Sequence, residues 1–191
     1  SSKYMDVLFI NPDSSSQAYQ DLSKVFSAIE PPTWSLLLAE SCRSKGFSVE
    51  ILDCDAERLS LKEATDRVNK SSALLVVFVV YGQNPNSGTT SMIGAFELAK
   101  SLKKSNLEVP ICFVGSHTSA LPLEVLSKDY VDLVLLNEGV YALHNLLKSD
   151  LGDDLSSIKG IGYKKQDLIN GIRSVLNPPE VVVPQEKMDE D

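Results

Sequence analysis

The sequence predicts an open, doubly wound α/β domain built on five parallel strands in the order 2-1-3-4-5, followed by a C-terminal β-hairpin. Three observations carry this. Residues 73–81 form an uncharged run rich in Val and Leu, too short to cross a bilayer and suited to a strand buried on both faces. Further short apolar runs at 6–10, 47–52, 111–114 and 131–136 alternate with segments of helical period. Several of these runs also end in loops rich in Gly, Ser, Thr and Asn, which suits βαβ units whose connections return on the faces of one sheet.

Each element has its own justification. The first strand, 6–10, stops at Asn11-Pro12, because proline cannot donate to a ladder. A polar loop at 13–20 follows, and 21–29 adds a helical turn closed by Pro31-Pro32. Thr33 is placed to cap a helix over 34–44, with Gly46 just past its end. Ser60 opens the next helix, and Glu63 three residues on completes a capping-box pattern. Ile93, Phe96, Ala99 and Leu102 repeat at helical spacing within a helix expected over 89–104. The stretch 115–120 is expected as a loop, 122–127 as a short helix and 140–147 as the last helix. Residues 160–164 and 171–176 flank a polar turn and predict the hairpin. The expected division is 1–150 as the ligand-holding domain, 151–176 as the hairpin extension and 177–191 as a proline-broken acidic linker. The strand order is the flavodoxin-like one.

Composition narrows the class of partner. Of 191 residues, 43% are hydrophobic and 23% charged, ordinary values for a soluble globular chain. Eighteen Lys and Arg against 26 Asp and Glu give a formal charge of −8, which argues against nucleic acid or an anionic membrane as the main partner. Cys42, Cys54 and Cys112 are widely spaced and form no C-x-x-C pair, so they predict reduced, buried thiols rather than a metal site. No basic segment leads into a hydrophobic signal core, and a cytoplasmic location is expected.

Ligands of such sheets bind outside the carboxyl ends of the strands, at the switch point of strand order. Three neutral loops are expected there: 11–16; 82–90, with Gln83, Asn84, Ser87, Gly88 and Thr89; and 115–120, with Gly115, Ser116, His117 and Thr118. Glycine admits a bulky ligand to the backbone, and Ser, Thr and Asn can satisfy amides, hydroxyls or a phosphate. A dinucleotide site would need G-x-G-x-x-G after the first strand, which Asn-Pro-Asp-Ser-Ser-Ser does not supply. Asp13 would repel a flavin phosphate. A phosphoacceptor domain would need Asp after the third strand and Lys after the fifth, where Tyr81 and Asn137 stand.

The succession Asn11-Pro12, Pro31-Pro32-Thr33-Trp34-Ser35-Leu36 and Lys45-Gly46-Phe47 through Asp53 resembles the start of cobalamin-binding domains in radical S-adenosylmethionine enzymes. Those domains read N-P-P, P-x-G-L-x-x-L-A and G-H-x-V-x-x-x-D. Gly115 through Pro122 is similar to their G-G-x-H-x-T-x-x-P loop, Asn137-Glu138-Gly139 to their G-E-G-E segment, and Ile158 through Tyr163 to their I-x-G-I-x-Y hairpin. Ser35, Ser116 and Val140 depart from that pattern.

The resemblance implies cobalamin on the carboxyl rim, contacted by Asn11, Pro12, Trp34, Gln83, Asn84, Ser87, Gly88, Thr89, Gly115, Ser116, His117, Thr118, Leu121, Glu138 and Gly139. It implies a longer parent enzyme whose S-adenosylmethionine barrel, in the same chain, carries a 4Fe–4S cluster and transfers methyl groups. This chain alone is expected to bind without turnover. Some cobalamin domains ligate cobalt through D-x-H-x-x-G after the first strand; residues 11–16 contain Asp13 but no His, so cobalamin without a histidine ligand and with its base displaced is expected. His117 is expected as a hydrogen-bonded loop residue and His144 as a surface or packing residue. Two other readings stand beside this one: a ligand-free or small-molecule-sensing scaffold, and a small-molecule enzyme using Asp13, Asp53 or Glu138.

Overall fold

The computed structural model describes residues 4–12, 33–81, 85–151 and 154–179, with the backbone alone over 85–91. Strand β1 (Met5–Asn11) leads to helix α1 (Thr33–Ser44), β2 (Val49–Asp53), α2 (Leu61–Lys70) and β3 (Ala73–Val80). Then come α3 (Pro85–Lys104), β4 (Ile111–Gly115), the short α4 (Ser116–Ala120) and α5 (Pro122–Leu126), β5 (Leu133–Leu135) and α6 (Val140–Lys148). A 3₁₀ turn (Leu155–Ser157) precedes the hairpin β6 (Ile161–Asp167) and β7 (Gly171–Leu176).

One sheet runs β2-β1-β3-β4-β5-β6-β7. Its first five strands pair in parallel and the last two antiparallel. The expected five-stranded parallel sheet is therefore corrected to a mixed, seven-stranded one: the hairpin continues the sheet through the pairs Leu133–Tyr163 and Leu135–Ile161. The physical reason is that β5 would otherwise present an open, apolar edge. The apolar first half of β6 is buried, whereas Lys165 and Gln166 stand in water.

Both faces of the parallel region are covered, which is why β3 and β4 are almost wholly buried and carry no charge. Leu38, Ala39 and Cys42 of α1 and Ala142, Leu143 and Leu146 of α6 pack over Phe9, Val77 and Val114 on one face. On the other, α2, α3 and α5 cover Ile10, Phe78 and Phe113, with Phe78 and Phe113 stacked at 4.8 Å. The capping box forms as expected: Glu63 N donates to Ser60 Oγ (3.1 Å), and Ser60 N to Glu63 Oε1 (3.4 Å).

Two boundaries differ from expectation near the rim. Helix α3 starts at Pro85, not 89, since proline at a first helical position costs no hydrogen bond. Ser87, Gly88 and Thr89 thus stand in the first turns of a helix instead of a loop. Residues 116–120 form a five-residue helix, too short for periodicity to register. The segments expected at 13–20 and 21–29, together with Gln83 and Asn84, lie outside the described residues, as does the linker beyond Pro179. No described helix is long and apolar enough to cross a membrane.

Candidate functional site

Because β1 to β5 are parallel, their carboxyl ends share one rim, and the chain turns from β1 toward β2 on one side and β3 on the other. The switch point therefore lies between the ends of β1 and β3. An aromatic pair stands beside it. Trp34, in the first turn of α1, stacks on Tyr81 at the end of β3, with centroids 4.7 Å apart and planes 30° apart. The Tyr81 hydroxyl donates to the Asn137 carbonyl after β5 at 3.0 Å, and Ser119 Oγ of α4 reaches the same carbonyl at 3.4 Å. One carbonyl thus ties the ends of β3, α4 and β5 together, while Trp34 brings in α1. Burial first, and then the negative charge of Glu138, push the Tyr81 phenol up to about 12, so it stays a donor at neutral pH.

The expected site residues divide by what they do here. Trp34, Ser116, Leu121 and Glu138 are exposed on or near this rim, and His117 is half-buried. Thr118 is fully buried. Asn11 is engaged already: its Nδ2 donates to Asp53 Oδ1 at 2.9 Å, and the same oxygen accepts from Ala56 N at 3.0 Å. That makes Asp53 a turn brace across the ends of β1 and β2. Pro12 is buried beside it. Gly115 and Gly139 serve packing. Gly115 has φ +143°, and a Cβ there would stand 1.9 Å from the Val80 carbonyl oxygen. Gly139, left-handed at φ +75°, opens α6 against Val114 and Leu135.

Three rim residues were not among the expected ligand contacts: Ser35, Tyr81 and Asn137. Ser35 is the instructive one, because Ser35, Leu38, Ala39 and Cys42 are the buried residues of α1 and recur at helical spacing. That period marks Ser35 as facing inward. Ser35 Oγ and Thr118 Oγ1 are buried hydroxyls with no hydrogen-bond partner among the described residues. Unsatisfied buried hydroxyls are uncommon, and both of these stand on elements that follow strand ends at the carboxyl rim.

A groove of about 630 Å³ flanks the rim beyond β5, lined by Asn137, Glu138, Tyr141, Asn145, Lys159 and Pro179 among others. The three cysteines are buried and unbridged, and burial pushes the Cys42 thiol up to about 11 and that of Cys112 further up. No group of three His, Cys, Asp or Glu among the described residues could hold a metal ion.

The open α/β sheet thus carries neutral hydroxyls and an aromatic pair at the carboxyl rim, where sheets of this class bind ligands. Residues 20–147 match the B12 binding domain family, and the chain belongs to that family. No curated protein sequence matches it. Among solved structures, it is similar to the radical S-adenosylmethionine methyltransferase TsrM from Kitasatospora setae with cobalamin and a 4Fe-4S cluster bound: TM-score 0.69, 19% identity, covering 94% of this chain and 30% of that one. It is also similar to the cobalamin-dependent S-adenosylmethionine radical enzyme OxsB with aqua-cobalamin and S-adenosylmethionine bound, with TM-score 0.65, 16% identity, and coverage of 94% and 23%. At these identities the likeness is one of fold. The chain spans less than a third of the length of either structure.

Proposed function

We propose that this chain is the cobalamin-holding part of a larger radical S-adenosylmethionine enzyme, a methyltransferase, and that it holds cobalamin with its base displaced and no histidine on cobalt. The observation that carries the reading is the pair of unsatisfied hydroxyls on the strand-end rim of a chain in the B12-binding family. Trp34 and Tyr81 would offer an apolar platform to the corrin, and Ser116, Thr118 and Glu138 hydrogen bonds to its amide arms, with Gln83, Asn84, Ser87, Gly88, Thr89 and Leu121 completing the surround.

Cobalamin, when bound, supplies a cobalt that can carry and release a methyl group. The protein's own part would be to hold and orient it. The histidines favour a cobalt without a histidine ligand: none lies in 11–16, and His144 is buried on α6 with Nε2 hydrogen-bonded to Ser41 Oγ at 2.8 Å. The parent enzyme would supply S-adenosylmethionine, the cluster and the substrate. Residues 1–150 would form the holding domain, with 151–176 and 177–191 leading toward the barrel.

Trp34 is the single tryptophan in the chain, so its emission reports on the rim alone. Hydroxocobalamin at micromolar concentration should quench it saturably, and the corrin absorption should stay with the protein through desalting. After reduction to cobalt(II), the paramagnetic resonance spectrum should lack nitrogen hyperfine splitting. Absence of retained corrin would remove the cobalamin reading; splitting from a protein imidazole would remove its histidine-free part.

A further inference from the structure

The β6–β7 hairpin is basic in an acidic chain. From Ile158 to Leu176 stand Lys159, Lys164, Lys165 and Arg173 against Asp167 alone, whereas the chain as a whole carries −8. Lys165 and Arg173 are directly opposite in the ladder, and both are exposed. Like charges so placed repel, which costs the hairpin stability. Neither is in an ion pair with a described residue; Asp154 and Asp167 feel them at longer range. Asp167 instead braces the turn, accepting from Ile169 N at 2.9 Å and from Asn170 Nδ2 at 3.3 Å.

Strand β7 is also an open edge of the sheet among the described residues. Asn177 turns its main chain to β6, its N–H donating to the Ile161 carbonyl at 2.8 Å, in step with the pairs Tyr163–Val175 and Lys165–Arg173. By the alternation of an antiparallel ladder, Ile172, Ser174 and Leu176 therefore turn their N–H and carbonyl groups outward. As far as Pro179 the chain does not return to cover them. Gly160 N donates to the Pro178 carbonyl at 3.1 Å, and Pro179 lines the groove beyond β5, across β6 from this edge. Because β6 runs antiparallel to β5, with Ile161 opposite Leu135 and Tyr163 opposite Leu133, the hairpin tip extends past the amino end of β5 and away from the carboxyl rim. Leu168, Ile169 and Ile172 are exposed at that end.

We propose that β7 binds an extended acidic peptide segment of a partner protein as an added strand, with acidic side chains along the Arg173 face and apolar ones along the Ile172 face. The outward groups of Ile172, Ser174 and Leu176 give such a strand its main-chain bonds, and its side chains alternate with the same period of two. Arg173 and Ile172 are consecutive and so stand on opposite faces, which an acidic-apolar alternation matches together. An acidic side chain beside Arg173 relieves the repulsion from Lys165. A basic strand would add to it, and a second copy of β7 would bring its own Arg173 to the edge. The site lies at the other end of the sheet from the rim and does not depend on cobalamin.

Labelled peptides Glu-Val-Glu-Val-Glu-Val and Lys-Val-Lys-Val-Lys-Val should be titrated with the 191-residue protein and followed by fluorescence anisotropy. The acidic peptide should bind in the micromolar range and the basic one should not. Arg173→Glu should weaken the acidic peptide roughly fivefold or more and strengthen the basic one. Ser174→Pro removes an outward N–H and leaves the β6–β7 ladder intact, so it should abolish binding while the melting temperature stays close to that of the wild type. No binding of the acidic peptide, equal binding of both, or acidic binding that survives Ser174→Pro would each overturn the proposal. A dimer in light scattering that Ser174→Pro dissolves would give the edge to a second copy instead. Sedimentation with phosphatidylserine vesicles that the acidic peptide fails to displace would give the basic, apolar-tipped hairpin to a membrane surface, and the proposal would fall in either case.

Discussion

Gly115 shows how one backbone atom can decide a residue. Its φ of +143° lies where side chains rarely go, and an added Cβ would meet the Val80 carbonyl oxygen at 1.9 Å and its carbon at 2.6 Å. Both are backbone atoms of the neighbouring central strand, so no rotamer change relieves the clash. Gly115→Ala should therefore cost about 3 kcal/mol or more, seen as a lower urea midpoint, whereas Ala at the exposed neighbour Ser116 should stay within about 0.5 kcal/mol. A small effect of Gly115→Ala would mean that β3 and β4 separate easily at this end. The sequence carries the glycine but not the strand that presses on it, so this packing constraint was not legible beside the expected ligand contact. Tyr81 was hidden for the same reason, since its hydroxyl is held by a carbonyl 56 residues away. Ser35 was nearer to legible, because the helical period alone turns it inward.

Among the elements, α1 and α6 are clasped through a part-buried pair. His144 of α6 is 8% exposed, and its Nε2 lies 2.8 Å from Ser41 Oγ of α1. Burial first, then Lys45 and Lys148, hold the imidazole below its ordinary range, while a hydrogen bond with Ser41 works the other way. The unfolded chain, with a histidine near pH 6.5, then binds the proton more readily than the folded one. The histidine's contribution to stability is thus fully present above that pH and is lost as pH falls below it. Melting temperature should drop between about pH 7 and pH 5, and His144→Gln should flatten that part of the profile. An unchanged slope in the variant would assign the pH dependence to other groups. The helix period placed 144 on this element without showing that it faces another helix. That fact belongs to the packing of α1 on α6, and both helices begin at the rim, at Trp34 and at Glu138-Gly139.

Over the whole molecule, the parallel strands and their helices were legible because each announces itself locally: an uncharged run for β3, a capping box for α2, a proline before β4. The hairpin was legible as a hairpin, yet its attachment was not, since pairing β6 with β5 is a long-range event that no local pattern encodes. The half-and-half burial of β6, apolar through Tyr163 and polar after it, is the trace of that attachment. It has an energetic consequence. Ile158 (5%), Ile161 (0%) and Tyr163 (9%) are buried in the same core as Leu135, Leu143 and Leu146. Large side chains of this kind contribute about 1.5–3 kcal/mol each, a sum comparable with the roughly 5–15 kcal/mol that holds a domain together. A chain ended at Leu151 would expose that surface and leave β5 as an open apolar edge. It should therefore lose cooperative thermal unfolding, or aggregate, in circular dichroism and light-scattering measurements. In the full chain, Ile161→Ala should cost about 2–5 kcal/mol while keeping a single transition. If the chain ended at Leu151 instead unfolds cooperatively with an unchanged midpoint, the hairpin is an appendage, and the cofactor-holding unit closes at β5.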